Sequence, residues 1–392
     1  MLIGSAPKRD WTVLYYLNGN NDLQPDLVRN LIDVEKVGPT DQVTIVAQLS
    51  RGPEEKKSKL DGDWTGMRRY VVGQSSSRSK LGSKPVHVQD QSPNHGDSAT
   101  LADFLDWGLK NYPAKHTMLV IGDHGKGYQG TGFDYVHKDV LDLKEFQQSL
   151  AGKKPDLLVM DACEMGAVEV AYQLRDSAKV LVASEEIIGT VGLPHKDFLG
   201  HLIANPKLTP QQLAKDFVNL SADDTIRRSE KGKPQAAEQL AAIRLDRMEA
   251  VAESMGELGR SLAASQVSRA KLKELIEETQ HFNLDSDVKP DCDYRDIGHF
   301  CRLLKEGVQD PKVQAAALRV EKVLHSALLS NQNSGEELME GNGLSVYLPA
   351  GRIKAAPTMK SPGGKHKLPQ LAYQQLEFDK ATGWSKWLEK RF

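Results

Sequence analysis

Two stretches decide how this chain folds: MLVIGDHGKG at 118–127 and DLLVMDACEMG at 156–166. Each is a short apolar run that breaks off at one reactive side chain among small residues, His124 in the first and Cys163 in the second. Such runs read as strands buried on both faces. In an open parallel sheet, the residues just beyond the carboxyl ends of the strands face the crevice where ligands bind. If the two strands are neighbours, His124 and Cys163 project from one edge, although 39 residues (163 − 124) separate them in the chain.

Outward from these stretches the first half alternates strand and helix. Strands are expected at 11–17 (WTVLYYL), 43–49 (VTIVAQL), 117–121, 157–160 and 180–183. Between them, Leu27, Leu31 and Val34 share a helical stripe over 26–37, and Leu101, Phe104 and Leu105 share another behind a cap at 97–100. Further helices are expected over 143–151 and 167–175. This alternation predicts an α/β fold with a mostly parallel sheet covered on both faces. The charged stretch 51–63 and the Ser/Pro/Gly/Lys-rich stretch 73–96 read as surface loops. From 209 to about 330 the periodicity reads as helical, for example at Leu240, Ile243, Leu245 and Met248, and predicts an added helical subdomain. Sheet character returns at 343–349 (GLSVYLP), and a helix around 384–388 closes the chain. The expected division is a core at 1–204, the helical subdomain at 205–330, and a returning strand and terminal helix at 331–392.

Composition narrows the function classes. The 392 residues carry 51 Lys and Arg against 53 Asp and Glu, so no basic face for nucleic acid or an acidic lipid surface is implied. No run approaches the ~18–20 apolar residues of a membrane span. The first ten residues hold no signal-peptide run, so the default compartment is cytoplasmic, with export open to a trimmed chain. Three cysteines, Cys163, Cys292 and Cys301, cannot form a disulfide framework, and none stands at CxxC spacing for zinc. Cys292 and Cys301 read as packing residues.

The chemistry follows from the pair. A thiol with a pKa of about 8.5 is only slightly ionised at neutral pH, and a nearby imidazole supplies a base for it and later an acid for a leaving amine. The amides of Gly125 and Cys163 are candidates for an oxyanion hole. Asp123 adjoins His124, but sequence neighbours on a turn point apart, and it is assigned no role. Other motifs compete. GKGYQG at 125–130 matches GxGxxG, yet the residues after it do not open an amphipathic helix, and the acid at Asp161 falls 34 residues past Gly127, against the ~20 of a dinucleotide site. There is no GxSxG elbow and no HExxH zinc pair. The acid-rich stretch 285–296 (DSDVKPDCDYRD) lacks the EF-hand order and reads as a solvated loop.

At these residues the chain resembles the clostripain family of cysteine peptidases, within the caspase-like clan. The resemblance is carried by WTVLYYLNGNNDLQ at 11–24, IGDHGKGY at 121–128, MDACEMGAVEVAYQLRD at 160–176, VLVASEE at 180–186 and GLSVYLP at 343–349. It implies a caspase-like three-layer α/β/α sandwich, with His124 as the catalytic histidine and Cys163 as the nucleophile. It further implies cleavage of a peptide or protein substrate through a thioester acyl-enzyme, after Arg or Lys held by acids, with Asp161 matching the acid two residues before the nucleophile. Here the sequence departs from the family pattern: 187–195 reads IIGTVGLPH, with Val191 about where a second acid would fall, so basic specificity is the weakest inherited expectation. Self-cleavage between the two catalytic strands is also implied, with Lys138 in YVHKDVLD as the candidate and Lys153-Lys154 second. Calcium is needed by some members, although no motif here demands it, and a monomer is favoured. The reading from another class is a catalytically silent relative that keeps the fold as a peptide-binding or interaction module.

Overall fold

The computed structural model describes residues 9–53, 59–189, 191–230, 238–282, 293–354 and 356–392. Nine strands make the central sheet: β1 (Arg9–Gly19), β2 (Val43–Arg51), β3 (Gly66–Val71), β4 (Pro85–Gln89), β5 (Ala114–Gly122), β6 (Leu157–Asp161), β7 (Val180–Ala183), β8 (Glu238–Arg244) and β9 (Leu328–Ser334), in the spatial order β9-β8-β7-β6-β5-β1-β2-β3-β4. The five from β2 to β7 that run β2-β1-β5-β6-β7 are parallel, and each end of the sheet is finished by two antiparallel strands.

The period of the central strands is that of a sheet with two dry faces. Leu14 and Tyr16 of β1, Leu119 and Ile121 of β5, and Leu158 and Met160 of β6 enter one core. Their neighbours Val13, Tyr15 and Leu17, Met118 and Val120, and Leu157 and Val159 enter the other. Helices α1 (Gln24–Val37), α5 (His195–Ala204) and α6 (Pro210–Glu230) cover the second face through Leu27, Leu31, Phe198, Leu202, Leu213 and Phe217. Helices α2 (Ser98–Asn111), α3 (Leu143–Ser149), α4 (Val168–Gln173) and α7 (Met248–Ala264) cover the first. The expected α/β/α sandwich with a mostly parallel sheet is thus present. Because β1 pairs with β2 on one side and β5 on the other, the strand order reverses at β1, and the crevice this opens lies beyond the carboxyl ends of β1 and β5.

Three expectations are corrected. Leu240 and Ile243 belong to strand β8, so the stretch expected to be a helical subdomain gives β8 and β9 to the main sheet. Leu240 and Ala242 enter one core, Ala241 and Ile243 the other; with both faces dry, the polar/apolar alternation that marks a strand is missing. The expected loop 73–96 holds β4, an edge strand exposed along its whole length, its two alternate valines, Val86 and Val88, included. The returning strand is shorter than expected and lies outside the main sheet: Ser345–Tyr347 pairs with Tyr294–Asp296 in a two-stranded ribbon. Cys292 and most of the acid-rich loop lie outside the described residues, whereas Cys301 is buried in the core, as a packing residue should be.

That ribbon covers a buried acid. Glu169 of α4 is fully buried; its Oε1 accepts the Tyr347 N–H at 2.9 Å and the Tyr373 O–H at 2.7 Å, while Oε2 has no hydrogen-bond partner among the described residues. Burial raises its pKa from an ordinary carboxylate value to about 7. With the folded pKa above the unfolded one, the folded state holds the extra proton, and the stability this gives below pH ~4.5 is lost as pH rises towards 7. Thermal midpoints should therefore fall from pH 5 to pH 7.5, and Glu169→Gln should flatten that fall. An unchanged slope in the variant would remove Glu169 as its cause.

Candidate active site

The switch point gathers three loops. The register pairs Leu17 with Gly122 and Gly122 with Asp161, so the residues after β1, β5 and β6 leave the sheet side by side. The loop after β1 is polar and buried: the Asn18 and Asn21 side-chain amides each donate to Asp123 at 2.7 Å, and both also donate to the Phe133 carbonyl. Asp123 in turn accepts the backbone N–H of His124 at 2.6 Å. Burial raises the Asp123 pKa well above the carboxylate range against the pull of those donors. Asp123 thus ties the β1 loop to the histidine loop, a structural part that its place in the sequence did not disclose.

The imidazole of His124 is held from several sides. Its Nε2 lies 2.8 Å from Oδ1 of Asp22, its carbonyl accepts from Thr131 Oγ1 at 2.8 Å, and its ring lies parallel to Tyr135 and edge-on to Phe133. A carboxylate facing Nε2 fixes the proton there and leaves Nδ1 of the neutral ring as the basic nitrogen. Asp22 was missed in sequence; the signal was there, in a run of polar residues (NGNND, 18–22) directly after an apolar strand.

Cys163 follows β6 on a sharp turn. Glu164 adopts a left-handed conformation (φ 59°), its N–H bonds the Glu186 carbonyl at 3.2 Å, and the Gly166 N–H bonds the Ser184 carbonyl at 2.7 Å, which pins the loop to the end of β7. The half-buried thiol donates to the Ile188 carbonyl at 3.7 Å. Burial pushes it up to about 12, and the nearby carboxylates of Glu164, Asp161 and Glu186 push the same way. At rest the thiol is protonated.

The two loops touch through glycine. A Cβ at Gly125 would sit 2.2 Å from the carbonyl oxygen of Cys163 and 3.0 Å from its nitrogen, so only a residue without one permits this approach. Gly125→Ala should force the loops apart, costing roughly 1–3 kcal/mol of stability and about 10²-fold in turnover. A thermal melt and peptide kinetics check it, and an alanine variant with full activity would show that the contact is not needed.

His124 and Cys163 line one pocket of about 220 Å³ with Asp123, Asp161, Ile187, Ile188 and, from a distant hairpin, Pro362. Val191 is 58% exposed and does not line it. Of the residues expected at the site, His124, Cys163 and Asp161 are therefore brought together and Val191 stands outside. Lys138 lies exposed at the turn between the short strands Thr131–Asp134 and Asp139–Leu141, in a left-handed conformation (φ 57°). Lys153 is paired with Asp106 at 3.4 Å. After GKGYQG the chain enters the strand Thr131–Asp134, so the helix that a dinucleotide's pyrophosphate needs is not there. Among the described residues no group of three or more His, Cys, Asp or Glu could hold a metal ion, and no helix is long and apolar enough to cross a membrane. Asp296, at the end of the acid-rich loop, is buried, accepting from His299 and Asn342.

A thiol and an imidazole beyond adjacent parallel strands of this topology define a cysteine peptidase of caspase-like fold. The chain belongs to the clostripain family, whose model matches residues 75–390. It is 23% identical to clostripain of Hathewaya histolytica, over 93% of this chain and 80% of that protein. Its fold is similar to that of an inactive zymogen C11 protease from Parabacteroides distasonis (TM-score 0.67, 16% identity, 96% of this chain and 99% of the other). It is also similar to a secreted C11 cysteine protease from Bacteroides thetaiotaomicron (TM-score 0.69, 15% identity, 96% and 100%). The chain is accordingly a cysteine peptidase acting on peptide substrates.

Proposed function

We propose that Cys163 and His124 form the catalytic dyad of this peptidase. Nδ1 of His124 takes the thiol proton, and the thiolate adds to the scissile carbonyl. The oxyanion is received by the N–H groups of Gly125 and Cys163. The imidazolium then gives its proton to the leaving amine, which leaves a thioester; water, deprotonated by the same nitrogen, releases the acid and restores the thiol. Asp22 is a positioning residue that holds the Nε2–H tautomer throughout. The observation that carries this reading is the Gly125–Cys163 backbone contact, which sets both loops on one pocket. These steps draw on protein groups alone, and calcium, which the family resemblance allows, is given no step in them.

Of the two lysine sites for self-cleavage, Lys138 on its exposed turn is more accessible than the paired Lys153, and cutting at either requires a pocket that admits a basic side chain. We take the working form to be a monomer with no nucleic-acid partner, in line with the balanced charge. The departure from the family pattern at 187–195, with Val191 outside the pocket, is the feature that favours a silent, peptide-binding relative. Fluorogenic peptides varied at the residue before the cut, run with the wild type and Cys163→Ala and with the intact mass of each protein, decide between them. Cysteine-dependent hydrolysis supports the dyad; binding without hydrolysis by either protein supports the silent module.

A further inference from the structure

We propose that His195 is a specificity-determining residue: it occupies the carboxylate of Asp161, so that the pocket beside Cys163 accepts a long uncharged side chain, such as methionine or leucine, in preference to a basic one. This rests on the peptidase reading above. Asp161 and His195 are both buried, with Nε2 of His195 2.8 Å from Oδ2. The other oxygen, Oδ1, accepts the Leu193 N–H at 3.1 Å. His195 is itself fixed, its Nδ1 3.4 Å from the Tyr15 hydroxyl and its ring edge-on to the tyrosine.

Both oxygens that would receive a substrate's ammonium or guanidinium are therefore already bonded within the chain. Gly192 closes the same wall: its φ of 73° suits glycine, and a Cβ there would stand 2.7 Å from Oδ2 of Asp161. The other carboxylates lining the pocket have partners of their own, Asp26 through one oxygen only. Asp26 is bonded to Arg29 at 2.7 Å, and Asp123 holds Asn18, Asn21 and the His124 N–H. Glu164 and Glu186, also close to the thiol, do not line the pocket. What remains facing the space is mostly apolar, Leu23, Leu27, Ile187, Ile188 and Pro362, with one further polar side chain, Asn30, whose amide nitrogen is placed to donate to the Val191 and Asp26 carbonyls. A basic side chain entering it would lose its hydration and find each oxygen of Asp161 already holding a donor, whereas a methionine or leucine loses nothing.

The test is kcat/KM for peptides identical except for Met, Leu, Lys or Arg before the cut, with the wild type, His195→Phe and His195→Gln. The wild type should prefer Met or Leu. His195→Phe bares a buried carboxylate, which a substrate cation then satisfies, so the Arg:Met ratio should rise by about tenfold or more. His195→Gln keeps an N–H donor for Asp161, and its ratio should stay nearer the wild type. A wild type that prefers Arg, or a ratio unmoved in His195→Phe, overturns the proposal; should His195→Phe fail to fold, the wild-type preference alone decides.

Binding of the same peptides to Cys163→Ala, measured by calorimetry, separates this from the chemistry. Tighter binding of the Met peptide with no turnover by the wild type would sink the peptidase reading and leave the pocket assignment standing. Tighter binding of the Arg peptide would sink the assignment whatever the turnover.

Discussion

Cys163→Ala abolishes hydrolysis of every peptide the wild type cuts, and with it any self-cleavage, while the protein keeps its fold. The expectation rests on where the sulfur stands. It makes one weak hydrogen bond, to the Ile188 carbonyl at 3.7 Å, and is only half buried, so its removal opens little space in the core. The turn that carries it is held by backbone bonds from Glu164 and Gly166, which alanine leaves intact. The thermal midpoint should therefore stay within about 3 °C of the wild type. Cys301, the other described thiol, is buried in the helical core and pushed far above the ordinary thiol value by that burial, so it cannot substitute as nucleophile. Turnover near the wild-type rate in the alanine variant would end the assignment of Cys163.

His124→Ala should cost 10²-fold or more, within the ~10²–10⁴ that a positioned base contributes. The environment of the thiol sets the size. With its pKa pushed up to about 12, the fraction ionised near neutral pH is negligible, so the proton must be taken by a group already in place. The sign of the pH dependence follows. Without His124 the thiolate must come from hydroxide, and residual activity should rise roughly tenfold per pH unit between pH 7 and 9. The wild type, whose base is built in, should rise far less steeply. Asp22→Asn should lose less than His124→Ala, because it removes only the acceptor that fixes the tautomer, and its pH profile should move where a merely structural change would not move it. Parallel pH profiles for His124→Ala and the wild type would take the role of base away from His124.

Glycines 125 and 192 illustrate how chemistry and shape divide between sequence and fold. That a thiol and an imidazole end two buried strands is written in the chain, because apolar runs closed by small residues have few ways to fold. The same local rules made Leu240 and Ile243 look helical, since a strand with two dry faces carries no alternation, and β4 was passed over because its short Val86–Val88 alternation lies in a Ser/Lys/Gly-rich stretch and buries neither face.

By itself, then, the sequence determined the α/β architecture and the two strand ends that carry His124 and Cys163, the pair proposed to react. Only the tertiary structure decided who surrounds them. Asp22 reaches His124 across 102 residues and His195 reaches Asp161 across 34, through contacts made when separate strands and loops converge on one sheet edge. Hydrogen bonds of this kind depend on distance in space, and neither spacing nor composition along the chain records it.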